Sequence, residues 1–142
     1  MNHKENLYVL DASIIIKWFK IEEYREKAIQ FREDFLHGKC DIVIPELLMY
    51  EIANVLRYNK IFREKEVLDS IESLYDIELN VVIPTSFLLR KATSLAYKKD
   101  ITVYDAIYVV LAKELNYYFV TADKKLYQKV KDIPFVIFID QV

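Results

Sequence analysis

Apolar and polar residues follow one another along this chain in two kinds of block. Short unbroken apolar runs end on a polar residue or a proline. Longer stretches repeat an apolar side chain every three or four positions. The short runs read as strands buried on both faces, as in a parallel sheet, and the longer stretches as amphipathic helices. Strands are predicted over 7–10, 41–45, 80–84, 117–121 and 135–139. A turn and a short helix follow the first strand over 11–19. Helices are predicted over 22–36 (Tyr24, Ala28, Phe31 and Phe35 inward), over 46–58 (Leu47, Leu48, Ile52, Val55 and Leu56 inward) and around the stripe Val67, Leu68, Ile71, Leu74 and Tyr75. Three more span 86–98 (Leu88, Leu89, Ala92, Leu95 and Ala96 inward), 102–115 and 124–130. His37-Gly38-Lys39 ends one helix, and Pro45 and Pro84 stop two strands. Strand–helix alternation with no linker, repeat or low-complexity segment predicts one α/β domain over 1–142 with a parallel sheet.

Four carboxylates break this pattern at comparable places. Asp11 closes the first strand and Asp123 follows the fourth, at the strand ends where open α/β sheets place their sites. Asp105 stands in the first turn of a helix that is apolar almost all round, followed by Ala106, Ile107, Tyr108, Val109, Val110 and Leu111. Glu51 lies inside the apolar stripe of its helix, between Leu47/Leu48 and Asn54/Val55. Each has a purely structural alternative. Asp11 and Asp123 can be N-caps, Asp105 can complete a capping box with Thr102, and Glu51 can snorkel from the edge of its stripe. In a parallel sheet, however, strand C-termini and the following helix N-termini share one edge, so the four acids are expected to converge there.

Composition narrows the chemistry. The single glycine, Gly38, excludes the Gly-rich phosphate loops. The only cysteine, Cys40, excludes an internal disulfide or a cysteine-rich zinc site, and a reducing cytoplasm is the expected setting. His3 and His37 fall in a tail and a turn, which speaks against a histidine-centred mechanism. A net charge of −2 provides no global basic field for nucleic acid, although Arg57, Lys60, Arg63 and Lys65 cluster locally. No apolar run approaches a membrane span, and the polar start is not a signal peptide.

Two carboxylates about 6 Å apart repel by roughly 3 kcal/mol at an effective dielectric of about 20. Four such charges together would consume much of a domain's stability of about 5–15 kcal/mol unless protons or a metal neutralise them. An all-oxygen donor set selects a hard ion, Mg²⁺ or Mn²⁺. Such an ion, with water in its open positions, suits phosphodiester hydrolysis.

The residues around the four acids carry a resemblance. Val9-Leu-Asp11-Ala-Ser13-Ile-Ile-Ile-Lys-Trp-Phe19, Pro45-Glu-Leu-Leu-Met-Tyr-Glu51-Ile-Ala-Asn54-Val-Leu56, Thr102-Val-Tyr-Asp105-Ala-Ile-Tyr108 with Leu111-Ala112, and Val120-Thr-Ala-Asp123-Lys-Lys-Leu126 are similar to the four acidic motifs of PIN-domain proteins. Within that family the chain most resembles the VapC-type toxin ribonucleases of type II toxin–antitoxin systems. The motifs come in the family's order, one acid in each, over nearly the whole chain. The resemblance implies a three-layer α/β/α fold with a parallel five-stranded sheet. It implies an Mg²⁺- or Mn²⁺-dependent endoribonuclease, an RNA substrate, a homodimer and a small antitoxin protein as partner. Asp11, Glu51, Asp105 and Asp123 would form the acidic set, with Ser13 and Thr121 as polar neighbours that help hold it. Asp11 and Asp105 are expected as the main metal ligands, Asp123 as completing the site, and Glu51 as orienting or deprotonating the attacking water. Helices near Trp18 and Phe19 and the segment 61–75 are expected to supply the dimer contacts and the antitoxin groove.

Two other Asp-based readings fit less well. A haloacid-dehalogenase-like phosphatase needs a second Asp two residues after the first, where Ser13 stands. A receiver domain needs paired acids after the first strand and a lysine after the last, and neither is present. The reading from a different class is a non-catalytic PIN-like interaction module whose acids only cap helices.

Overall fold

The central strand β1 (Leu7–Leu10) is flanked by β2 (Asp41–Pro45) and β4 (Tyr118–Thr121), with β3 (Asn80–Val82) and β5 (Val136–Phe138) at the edges. All neighbours are parallel; Val9 lies opposite Val43 on one side and Phe119 on the other. The computed structural model describes residues 6–142. His3 and the polar start over 1–5, read above as a tail, lie outside the described residues. The helices are α1 (Ala12–Ile15), α2 (Arg25–Leu36), α3 (Leu47–Tyr58), α4 (Glu64–Asp76), α5 (Ser86–Lys99), α6 (Val103–Leu115) and α7 (Lys124–Val130). Short 3₁₀ segments extend α1 over Ile16–Trp18 and follow β5 over Ile139–Gln141. The architecture is the α/β domain with a parallel sheet expected from the alternating pattern, in the three-layer, five-stranded form that the resemblance implies.

The core is laid on the three inner strands. Val9, Leu10, Ile42, Ile44, Phe119 and Val120 are fully buried, and α6 buries every residue from 106 to 112 against β1, β2 and β4. Each such aliphatic or aromatic side chain contributes about 1.5–3 kcal/mol by leaving water. That is why α6 is apolar all round. With one glycine in the chain, other residues fill the left-handed helix ends: Asp100 (φ 54°) closes α5 and Asn116 (φ 59°) closes α6. Only Ile101 and Thr102 separate the Asp100 cap from α6, so α5 and α6 pack closely against each other.

The strand order β3-β2-β1-β4-β5 has a consequence for function. Successive strands step outward from β1 in one direction, and β4 returns to its other side. The connections therefore diverge between β1 and β4, leaving a crevice beyond their carboxyl ends. Asp11 follows β1 and Asp123 lies two residues beyond the end of β4.

Several expectations from the pattern change. The second helix starts at Arg25, not 22, because Tyr24 adopts a left-handed conformation (φ 64°) and packs edge-on against Phe138. The strands over 80–84 and 135–139 are shorter, ending at Val82 and spanning only Val136–Phe138. Val55, Leu68, Tyr75 and Leu89, read as inward-facing, are exposed, as is Ile83. Val55 lies on α3, Leu68 and Tyr75 on α4, Ile83 just beyond β3 and Leu89 on α5; α4 packs chiefly on α3, and of its residues only Leu74 is fully enclosed. Trp18 is buried, its indole N–H donating to the Ala28 carbonyl at 2.7 Å, so its ring belongs to the core and not to an exposed groove. No helix among the described residues is long and apolar enough to cross a membrane.

Candidate functional site

Among the described residues, Asp11 is the one carboxylate buried among the core side chains. It is the N-cap of α1: one carboxylate oxygen accepts from the Ser13 amide at 3.1 Å and from the Ser13 hydroxyl. Its other oxygen accepts from the Thr121 hydroxyl, at the end of the neighbouring strand β4, at 2.6 Å. The two strand ends are laced further. The Ala122 amide donates to the Ser13 hydroxyl at 2.8 Å, and the Asp123 amide donates to the Thr121 hydroxyl at 3.1 Å. Burial pushes the Asp11 carboxyl up to about 7 against the downward pull of Ser13 and Thr121. The charges of Asp105 and Asp123 push it further in the same direction. A carboxyl held by three donors yet still raised is short of positive charge.

Asp105 stands on the first turn of α6. Thr102 is the N-cap there, its hydroxyl accepting from the Asp105 amide at 3.0 Å, which leaves the Asp105 carboxylate free of capping duty. Burial raises its pKa, the Asp123 charge adds to the rise, and the Thr102 hydroxyl opposes it. Asp123 caps α7 through a bond from the Leu126 amide at 3.1 Å. A cleft lined by Thr102, Asp105, Asp123, Lys125 and Lys129 lies beside these acids. Lys129 is tied to Asp100 at its rim.

Glu51 arrives from α3. It is half-buried, and its Oε1 accepts from the Tyr108 hydroxyl at 2.5 Å. Tyr108 lies one turn after Asp105 on α6, is almost wholly buried, and stacks on Phe119 of β4 with ring centroids 6.1 Å apart. Burial raises the Glu51 pKa, the Tyr108 hydrogen bond lowers it, and the Asp105 charge raises it. The sequence pattern alone places Tyr108 in the core. The available signal was a phenol inside a wholly buried helix, since a buried hydroxyl needs a partner.

The structure thus brings Asp11, Asp105 and Asp123 within electrostatic reach of one another and links Glu51 to them through its coupling to Asp105. Among the described residues no three His, Cys, Asp or Glu side chains stand close enough together to cage a metal ion by themselves. The donor chemistry nevertheless fits a hard divalent ion held by one or two carboxylates and otherwise by water, the usual mode for Mg²⁺. Such an ion would offset the burial that chiefly raises Asp11 and Asp105, and the smaller repulsion from their acidic neighbours.

A family model described as the PIN domain matches residues 8–132. A relative described as Ribonuclease VapC3, from Pyrobaculum aerophilum, is 31% identical over 125 residues, spanning 85% of this chain and 92% of that protein. Among solved structures, a protein from Pyrobaculum aerophilum superposes with a TM-score of 0.66 at 24% identity, over 94% of this chain and 90% of its own. The toxin–antitoxin complex from Klebsiella pneumoniae matches with a TM-score of 0.66 at 16% identity, over 93% and 97%. VapBC-1 from nontypeable Haemophilus influenzae gives 0.61 at 17%, over 94% and 98%. At these identities the solved structures speak to the shared fold.

Proposed function

The chain belongs to the PIN-domain family, and from that membership we propose that it is an Mg²⁺- or Mn²⁺-dependent endoribonuclease, the toxin of a pair restrained by a small protein antitoxin. The observation that carries the reading is Asp11: a buried carboxyl, fully hydrogen-bonded, whose pKa is still driven up to about 7 beside Asp105 and Asp123. Helix capping accounts for Asp11 and Asp123. It does not account for Asp105, where Thr102 caps, nor for Glu51, which lies within its helix and caps nothing. The relative described as a ribonuclease and the solved toxin–antitoxin complexes support the substrate and the partner.

In this mechanism Asp11 and Asp105 would hold the ion, with Asp123 completing its surroundings directly or through water. The bound ion would lower the pKa of a coordinated water and stabilise charge building on the phosphate. The chain supplies the rest. Ser13 and Thr121 fix the Asp11 carboxylate so that both its oxygens stay aligned. Glu51, held by Tyr108, stands ready to take a proton from the attacking water, its raised pKa bringing it nearer neutrality where a general base works best. The exposed apolar side chains Tyr58, Ile61, Leu68, Tyr75 and Ile83 support a homodimer and an antitoxin contact on that side of the molecule.

The test is cleavage of single-stranded RNA with Mg²⁺ or Mn²⁺ present, with EDTA, and with Asp105→Asn. Loss of cleavage in the last two is expected. Cleavage indifferent to both would leave the proposal without support.

A further inference from the structure

A second pocket opens beside Glu51, lined by Leu47, Tyr50, Glu51, Asn54 and Tyr104, with a volume of about 470 Å³. Tyr104 is 61% exposed, although it sits one residue before Asp105 on a helix otherwise buried from 106 to 112. Tyr50, one residue before Glu51, is 63% exposed, and its hydroxyl donates to Glu46 one turn back at 2.6 Å, which restrains the ring. Two surface phenols, each the immediate neighbour of a proposed catalytic acid, therefore border one small cavity with the Asn54 side chain.

We propose that this pocket takes one unstacked base of a single-stranded RNA, next to the phosphate presented to the acids. The inference rests on the nuclease reading for its substrate. Aromatic side chains bind bases through their faces, and single-stranded RNA is recognised through bases splayed out of the stack. Asn54 carries both a donor and an acceptor and so can pair with a base edge. The Glu51 carboxylate forms part of the wall, so a base held here lies beside the residue assigned to the attacking water. The pocket is shallow and open, so a base would lie against the phenols with part of it still in solvent. The chemistry also separates this pocket from a protein-binding face. The exposed aliphatic side chains Ile61, Leu68, Val81 and Ile83 offer dehydratable surface and no polar code. The pocket instead offers phenols, an amide and a carboxylate.

The experiment uses the full chain and a short single-stranded RNA carrying 2-aminopurine, whose fluorescence reports stacking. In metal-free buffer, the wild type should quench it on binding. Tyr104→Ala should bind about 5- to 100-fold more weakly, the loss expected for one base–aromatic stack. Tyr104→Phe should bind like the wild type, because the ring face is kept. With metal, Tyr104→Ala should raise KM by a similar factor while kcat stays within about twofold. Tyr97→Ala, an exposed tyrosine on α5 outside the pocket, is the control and should change neither. Quenching without metal-dependent cleavage would overturn the nuclease reading and leave the base site standing. Metal-dependent cleavage with unchanged KM and unchanged quenching in Tyr104→Ala would overturn the base site and leave the nuclease reading intact. A Tyr104→Ala variant that keeps its RNA binding but changes sedimentation mass would show the tyrosine to be a protein contact, and would also overturn it.

Discussion

The Tyr108 hydroxyl donates to Glu51 Oε1 at 2.5 Å, joining α6, which carries Asp105, to α3 across the head of the crevice. Burial and the Glu51 charge push the Tyr108 pKa far above its ordinary value, so the phenol is a donor at every working pH. Tyr108→Phe should keep the ring on Phe119 and release Glu51. We expect kcat to fall about tenfold with KM unchanged, the mark of an interaction that matters in the transition state. Stability should drop by about 1.5–3 kcal/mol, the ordinary range for one hydrogen bond to a charged group. Because Tyr108 acts through Glu51, the variant should have little further effect in a Glu51→Gln background; additive losses in that double-mutant cycle would refute the link.

Thr121 is fully buried and serves both aspartates that follow the inner strands, donating to Asp11 and accepting from the Asp123 amide. Thr121→Val keeps the shape and removes both bonds, together with the 3.3 Å contact to the Ser13 hydroxyl. The unsatisfied partners should lower stability by about 1–3 kcal/mol. Losing the Thr121 donor also removes a downward pull on Asp11, so the acidic limb of the pH–activity profile should move to higher pH. A profile unmoved from wild type would show that the Asp11 proton does not govern activity.

Stability without metal should fall as pH rises. The Asp11 carboxyl titrates near 3.8 in the unfolded chain and near 7 in the fold, so between these values the native state holds a proton that the unfolded state has released. Unfolding then releases protons, and stability declines through this window, by roughly 4 kcal/mol for Asp11 if the whole shift is realised. Asp105 and Glu51, also raised, add in the same sense. Glu22, Glu66 and Asp132 are lowered, and their support is lost only on the acid side. Mn²⁺ held as proposed would bind the deprotonated carboxylates, so any stabilisation by it should grow over the same window. Calorimetry at pH 5.5 and 8.0 with and without Mn²⁺ checks both slopes; a metal-free Tm that rises with pH would contradict them.

The strands, the helices and the four acids were legible because each is announced locally. An apolar run ends at Asp11, a proline closes β2, and a carboxylate interrupts the face of α3. What sequence could not supply depends on contacts distant in the chain. The bond from Thr121 to Asp11 spans 110 positions and follows from β4 lying beside β1, an order that periodicity does not encode. Tyr108 reads as core because its ring is core; only its hydroxyl reaches Glu51. Leu68 and Leu89 fit their stripes yet stay exposed, because a stripe reports where a helix is apolar and not how much of it a neighbouring element covers.

Asp105→Asn separates the nuclease reading from capping. The asparagine keeps size and leaves Thr102 as the cap of α6, so neither reading expects the helix to fray. In the metal-free protein, one charge fewer beside Asp11 and Asp123 should leave stability equal or higher, by up to about 3 kcal/mol from the removed repulsion. The Asp11 pKa should fall, because Asp105 contributes to its rise. Cleavage should drop by a hundredfold or more, taking a lost ligand to remove about 3 kcal/mol or more of transition-state stabilisation. The Tm gain from Mn²⁺ should shrink in parallel. A variant as stable as predicted, with its Mn²⁺ response and RNA cleavage both at wild-type level, would mean that Asp105 is buried for reasons unrelated to metal, and the acids would have to be explained by packing alone.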